Sequence, residues 1–459
     1  MIRWIRILIW AYLVLLIGEG ALRKWVFFSL ADPLLIVRDP VLLGIYVLAL
    51  AAGVFPKNGF VITAGVLAVL STVAALLAGN GNALVIAYGL RINFLHLLLI
   101  WIAGSVLTRG DVRRMGGFLL LTAIPMTLVM VQQFRSPISA TINRGIGGDT
   151  MGQIFGADGR IRPPGLFAFI TGPQLFYPLC AAFFLHQLSS GRRLPWYVLM
   201  PCGIAIALAL PVSISRTVML ATAVVGVAFV VSLPLVVTHS GKVVRPLLLL
   251  AALALVLTRL PIFAEGSSVF MMRWDTAAQA SEGDAWGGVM ERTVNGFTNP
   301  FYFFRIAPFF GYGIGMGSNV AARLLSGGMG FMLAEEEWGK VLLELGPILG
   351  TAFIVLRIAI VGHLGVVSWR ALRESRDSLP LLIFSASALS FMQGQWGPPT
   401  VLGFAVISAG LILAAAQPAE EGPSKKLPAA EPRREHRPIS RSIARSVRRQ
   451  PALARAPRS

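Results

Sequence analysis

The sequence predicts an all-α fold, a polytopic membrane helical bundle of about 12 transmembrane helices. Composition predicts it first. Hydrophobic residues make up 56% of the chain and charged residues 13%, where soluble domains average about 25% charged. Mean hydropathy is +0.73. The second observation is pattern: apolar runs of bilayer-spanning length, about 17–25 residues, recur along the chain. The third is that short Arg/Lys-rich stretches separate many of these runs.

The first run, residues 5–20, imitates the apolar core of a signal peptide. No small-residue cleavage site follows it, and the charged stretch 19–24 comes directly after, so it reads as a retained first span. Residues 21–39 read either as an interfacial segment or as part of a span. Further spans are expected at 40–56, 59–78, 92–108, 115–131, 166–188, 195–212, 217–237, 246–262, 338–362, 379–394 and 400–416. The compact basic loops TRGDVRR (108–114), SSGRRLP (189–195), THSGKVVR (238–245) and WRALRESRDS (369–378) are expected on the cytoplasmic side. An even number of spans then puts both termini there. Arg23 and Lys24 break the rule, with Glu19, Asp32 and Asp39 nearby as a partial offset.

This orientation leaves two long polar segments outside, 132–165 and, between spans 9 and 10, the large loop 263–337. Both are rich in glycine, polar residues and aromatics. Loops of that length without periodicity are usually functional or disordered, and the aromatics argue against disorder. Residues 1–416 thus form the transmembrane domain. Residues 417–459 hold eleven Lys/Arg against four Glu, with repeated Pro and Ser, and read as a disordered basic cytoplasmic tail. That tail either solubilises the chain or lays a short helix through Ile439, Ile443 and Val447 on anionic lipid.

The net charge of +19 does not point to nucleic acid, because the basic residues are spread between apolar spans. Cys180 and Cys202 lie in apolar segments and read as small core residues. The five histidines have no cysteine or carboxylate at ligand spacing, so no structural metal is expected.

Arg216 is the conspicuous charge. It stands alone in the apolar stretch 195–238, at a short turn in SISR (213–216). A charge at the bilayer centre costs about 2.5–3.5 kcal/mol on insertion scales. It either snorkels to the interface or serves a ligand. Arg160 and Arg162 precede Pro163-Pro164 at the start of span six, and Arg273, Arg292 and Arg305 punctuate the large loop. The planar guanidinium forks two hydrogen bonds to phosphate and stays charged, so arginines gathered in one cavity would hold a pyrophosphate group and stabilise it as a leaving group.

A second cluster is AEEEWGKVLLELGPILG (334–350). Three adjacent glutamates oppose one another's ionisation, and Glu335 or Glu336 would suit a general base. The plainer reading is an acidic helix N-terminus favoured by the helix dipole. Glu344 lies deeper in apolar surroundings, as a site residue or as a partner of Lys340 or Arg357. GYGIGMGSN (311–319) lacks a strand–turn–helix setting, so its glycines suggest close backbone approach rather than a dinucleotide loop.

These residues together carry a family resemblance. The chain resembles the O-antigen ligase and O-antigen polymerase superfamily of bacterial inner-membrane proteins, most of all its exopolysaccharide-polymerase branch. The resemblance covers about residues 90–415. It rests on Arg-Pro-Pro-Gly (162–165), on Ser-x-Ser-Arg (213–216), on the large penultimate outer loop, and on G-x-G-x-G (311–315) followed by E-L-G-x-x-x-G (344–350). It implies glycosyl transfer at the periplasmic face, without metal or other cofactor. The donor would be an undecaprenyl-diphosphate-linked glycan. The acceptor would be a second lipid-linked glycan in a polymerase, or lipid A core in a ligase.

By position, the family's diphosphate-binding arginines map to Arg160 or Arg162 and to Arg216. Arg273, Arg292, Arg305 and Glu344 are further candidates for contact with substrate. Many ligases carry a catalytic His about eleven residues before the Gly of E-L-G. Glu335 occupies that position here. This departure favours polymerase over ligase and gives the base role to Glu335 or Glu336, with inversion at the anomeric carbon. Trp274, Trp286, Phe301 and Tyr302 would stack on sugars, or pack the loop's own core, or sit at headgroup level. Other polysaccharide-assembly proteins are expected partners. Rival readings are a polysaccharide or lipid-glycan transporter or flippase, and a silent scaffold of an export complex. No internal repeat of the kind transporters show is evident.

Overall fold

A computed structural model describes residues 1–79, 82–150, 152–189, 194–236, 255–257, 259–279, 285–327 and 333–418. The protein is an all-α membrane helical bundle, with no named strand among the described residues. Seven helical stretches are long and apolar enough to cross a bilayer: Ile2–Val26, Pro33–Ala51, Gly59–Leu77, Ala83–Val106, Arg109–Arg135, Arg216–Val236 and Glu337–Ser375. Three shorter apolar helices join them.

The helices are α1 (Ile2–Ala21), α2 (Arg38–Ala51), α3 (Gly59–Leu77), α4 (Ala83–Asn93), α5 (Leu98–Val106), α6 (Arg109–Arg135), α7 (Thr171–Ser189), α8 (Trp196–Val212) and α9 (Arg216–Val236). Then follow α10 (Pro261–Gln279), α11 (Ala285–Ile306), α12 (Asn319–Ser326), α13 (Glu337–Ser375), α14 (Leu379–Gln393) and α15 (Pro399–Ala415). Eleven of the expected spans coincide with these helices. The one expected at 246–262 lies mostly outside the described residues, as does the tail beyond 418.

Local chemistry sets the boundaries. Asn58 and Asn82 accept the first free amides of α3 and α4, and Thr108 and Asp111 form a capping box that starts α6. α7 and α15 are buried on nearly every face and form the core. Gly104 of α5 lies against Leu413, and Gly410 against Ala103, so small residues let α5 and α15 approach closely. α3 and α9 instead expose valine and leucine faces suited to lipid.

The large loop expected at 263–337 is mostly helical. α10 buries Gly266, Val269 and Phe270 against α8, and α11 turns Phe297 and Phe303 onto Trp338 and Gly339 of α13. The spacings of three and four from Gly266 to Val269 and Phe270 are helical. Polar residues and glycines fill the other faces and hide the period in the sequence. Segment 132–165 is irregular but tied down. Asn143 donates to the carbonyls of Gln133, Ser136 and Pro137, and the Gly165 amide donates to Gln133 Oε1 at 2.8 Å.

Candidate functional site

Three groups of polar residues gather at one end of the bundle. The first is built on α13. This helix breaks at Gly346, whose φ of +78° with ψ of 171° is a conformation essentially confined to glycine. A side chain at Gly346 would run into the Phe309 carbonyl, and one at Gly311 into the Glu344 carbonyl. The two glycines let segment 309–317 lie directly on the Glu-Leu-Gly stretch. Tyr312 N donates to Leu343 O at 2.7 Å and Gly313 N to Glu344 O at 3.0 Å. Gly317 N donates to Glu344 Oε1 at 2.8 Å, while Oε2 of the same buried carboxylate has no hydrogen-bond partner among the described residues.

Of the three adjacent glutamates, the third is the structural one. Glu337 is buried and binds Lys340 Nζ and Arg357 NH1, each at 2.8 Å. Arg357 also donates to the carbonyls of Phe391 and Gly394 and stacks on Trp396, 3.8 Å from the ring centre. Of the two readings of Glu344, site residue or partner of Lys340 or Arg357, the second is not made as a direct bond: both cations bond to Glu337, while the Lys340 charge still acts on Glu344. Glu336 sits at the N-cap of α13, half-buried, with Oε1 accepting from Asn299 Nδ2 at 2.7 Å. The Glu335 side chain is exposed, and its carbonyl accepts from Gln395.

The second group was not anticipated. Arg23 and Lys24, read from sequence as exceptions to the loop-charge rule, are both buried in a π-helical turn (Leu22–Val26) that follows α1. Single π turns are frequent at functional sites. Lys24 Nζ donates to Gly165 O at 2.7 Å, which fixes the Arg-Pro-Pro-Gly segment. Arg23 binds Glu19 and the Ala31 carbonyl, and Arg38 reaches Glu19, Tyr12 and the Pro399 carbonyl. Arg91 makes a two-pronged bond to Asp39. A consistent proton assignment runs from Arg38 to the Tyr12 oxygen, from Tyr12 to His96 Nδ1, and from His96 Nε2 to Asp39. The half-buried Tyr88 hydroxyl lies within electrostatic reach of Arg91 and Arg23 and of Lys340 in the first group.

The third group is a rim. Phe155 and Ile161 bridge to close a small hairpin, and Gly156 in it packs on Ile214. Ile214 itself has a φ of +47°, rare for a β-branched residue and a sign of backbone strain at the Ser-x-Ser-Arg turn. Ser215 Oγ accepts from Gln174. Arg160 binds Glu265 of α10 at 2.9 Å and lies over the Phe134 ring. Arg162 is half-buried, and its amide donates to Ile154 O. Arg216 opens α9, its guanidinium carbon 6.0 Å from the Trp274 ring centre.

The hairpin that carries Arg160 and precedes Arg162 thus packs on the turn before Arg216, and the partners of Arg160 and Arg216 on α10, Glu265 and Trp274, lie nine residues apart. Arg273 is half-buried on α10 and Arg305 is exposed on α11. The side chains of Arg292 and Trp286 lie outside the described residues. Phe301 and Tyr302 are largely exposed, so they do not form a core for the loop. Among the described residues no three His, Cys, Asp or Glu side chains form a metal-binding group. No known protein-family model matches the chain, and no curated protein matches its sequence.

Proposed function

We propose that this membrane protein is a periplasm-facing glycosyltransferase that polymerises or ligates surface polysaccharide. It works in the bacterial inner membrane, with both termini cytoplasmic and the basic tail against anionic lipid. The observation that carries the reading is the meeting of the motif pieces. The glycine segment 311–317 folds onto Glu-Leu-Gly, Lys24 grips Arg-Pro-Pro-Gly, and the 154–161 hairpin packs on Ser-x-Ser-Arg. Stretches scattered over about two hundred residues of sequence share one end of the bundle.

In the proposed reaction the donor is an undecaprenyl-diphosphate-linked glycan. An acceptor hydroxyl attacks its anomeric carbon from the face opposite the diphosphate. The new glycosidic bond forms as the bond from that carbon to the phosphate oxygen breaks. Undecaprenyl diphosphate departs with the electron pair, and configuration inverts. Arg160, Arg162 and Arg216 hold the departing diphosphate, whose growing charge rewards fixed donors. Glu336 or Glu335 takes the hydroxyl proton. Glu336 is the better-oriented of the two, through Asn299.

The test is the glycolipid profile of a deletion strain complemented with variants. Arg216→Ala and Arg162→Ala are expected to block glycan assembly with membrane insertion intact, and wild-type profiles in both would remove the clamp. Glu336→Gln is expected to slow turnover by roughly a hundredfold at unchanged donor binding. If Glu336→Gln and Glu335→Gln both leave the rate unchanged, the base lies elsewhere. Single-repeat lipid intermediates in the deletion strain mark a polymerase, and full-length undelivered polymer marks a ligase. Glycan movement across vesicles with no glycosidic bond formed would favour the transporter.

A further inference from the structure

Helices α7, α8 and α9 do not close fully on one another. Between them runs an open-sided groove of about 580 Å³. Phe184 of α7, Ile206 and Leu210 of α8, and Gly226 and Val230 of α9 line it. Thr222 supplies the hydroxyl among its lining residues, and that hydroxyl is already bonded to Val218 O at 2.8 Å. The groove therefore offers a ligand only apolar surface.

What lies above it selects the occupant. α8 and α9 are joined by residues 213–215 alone, and Arg216 follows at once. The lining of α9 begins at Thr222, six residues past Arg216, which at helical rise is about 9 Å. The lining of α8 ends at Leu210, a similar distance before the arginine. The groove thus runs toward the strained turn that leads into Arg216. An amphiphile with a long apolar tail and an anionic head matches both features. Gly226 adds a third. A Cβ placed there would meet nothing within 4 Å, so no group among the described residues touches it.

We infer that the groove between α7, α8 and α9 seats the polyprenyl tail of the lipid diphosphate whose head is held at Arg216. The identity of that head rests on the proposed function. The seat sets the register of the substrate: the tail enters sideways from the bilayer, and its depth in the groove fixes the height of the diphosphate at the rim.

The probe is undecaprenyl diphosphate with a photoreactive group on its tail, added to the full chain in phosphatidylcholine nanodiscs. Labelled peptides are expected within 181–231. Gly226→Phe, which projects a ring into the groove from a position where a Cβ meets nothing within 4 Å, is expected to cut labelling about tenfold through lost apolar contact, at an unchanged melting temperature. Gly226→Leu serves the same purpose should the larger ring unfold the protein. Three results would overturn the inference. One is labelling untouched by either variant. Another is labelling abolished by excess phosphatidylglycerol, which marks an ordinary acyl-chain seat. The last is spontaneous disulfide formation, in a Cys180→Ala, Cys202→Ala background, between Gly226→Cys and a cysteine placed in 246–262, which means that the chain's own segment fills the groove. The seat and the reaction fail separately. A chain that forms glycosidic bonds but is not labelled in the groove loses only the seat, and a chain labelled there that forms no such bond loses only the reaction.

Discussion

Two sets of cations stand at the same end of the bundle and are held at different depths. Arg23, Lys24, Arg38 and Arg91 are almost wholly buried, and each is bonded to a carboxylate, a backbone carbonyl or both. Arg160, Arg162 and Arg216 are half-buried on a hairpin and a turn. Burial makes an unpaired charge very costly, so the first set is committed to intramolecular partners and rivets the N-terminal helices to Gly165 and Pro399. The rim set is only half-buried, and within it Arg160 bonds to Glu265 and to the Phe134 carbonyl. The difference teaches that an arginine's presence in a membrane protein says little by itself. Its depth of burial separates a charge sealed inside the scaffold from one that stays partly exposed.

That distinction can be broken by experiment. The largest expected effect is from Asp39→Ala, which strips Arg91 of its carboxylate and His96 of its acceptor. A loss of about 3–5 kcal/mol of stability is expected for one partner of a buried pair, read as a collapse of the monodisperse peak after mild heating in detergent. An unchanged melting curve would place the N-terminal network outside the scaffold.

Arg216→Ala is expected to act on the other ledger. Glycan assembly should fall by about 10²–10³, the scale for losing a fixed donor to a developing anion. Stability should stay within about 0.5 kcal/mol, checked by the same melting assay. A stability loss that accounts for the missing activity would move Arg216 into the scaffold.

Gly346→Ala should cost about 1–3 kcal/mol from backbone conformation alone, with more from the clash with the Phe309 carbonyl. Proteolysis of segment 309–317 in membranes should accelerate accordingly. The smallest effect is expected from Arg160→Ala. Its bond to Glu265 is partly exposed, and such pairs contribute about 0–1 kcal/mol. Its measurable consequence should be on donor affinity and not on melting.

Much of the fold was legible because bilayer-spanning helices advertise themselves by length and polarity. The starts of α3, α8, α9 and α15 match the apolar runs within a residue or so. α10 and α11 were not legible, since each has one apolar face only, and glycines and polar residues mask its period. The motif pieces were legible in the sequence and their assembly was not. Ser-x-Ser-Arg and Glu-Leu-Gly can be read from sequence, but the bond from Lys24 to Gly165 spans 141 positions and leaves no local trace. Glu337, beside the two glutamates chosen as bases, differs from them only by the helical turn that aims it at Lys340 and Arg357. Three identical residues in a row hold no information about which will be buried.

The central claim is bond formation at the rim, and one measurement addresses it. Purified protein in proteoliposomes is given a synthetic undecaprenyl-diphosphate glycan with a labelled acceptor glycan, and glycosidic product and released undecaprenyl diphosphate are quantified together. The account predicts the two in equal amounts, both lost in Arg216→Ala. Glycan translocation with neither product formed would contradict it.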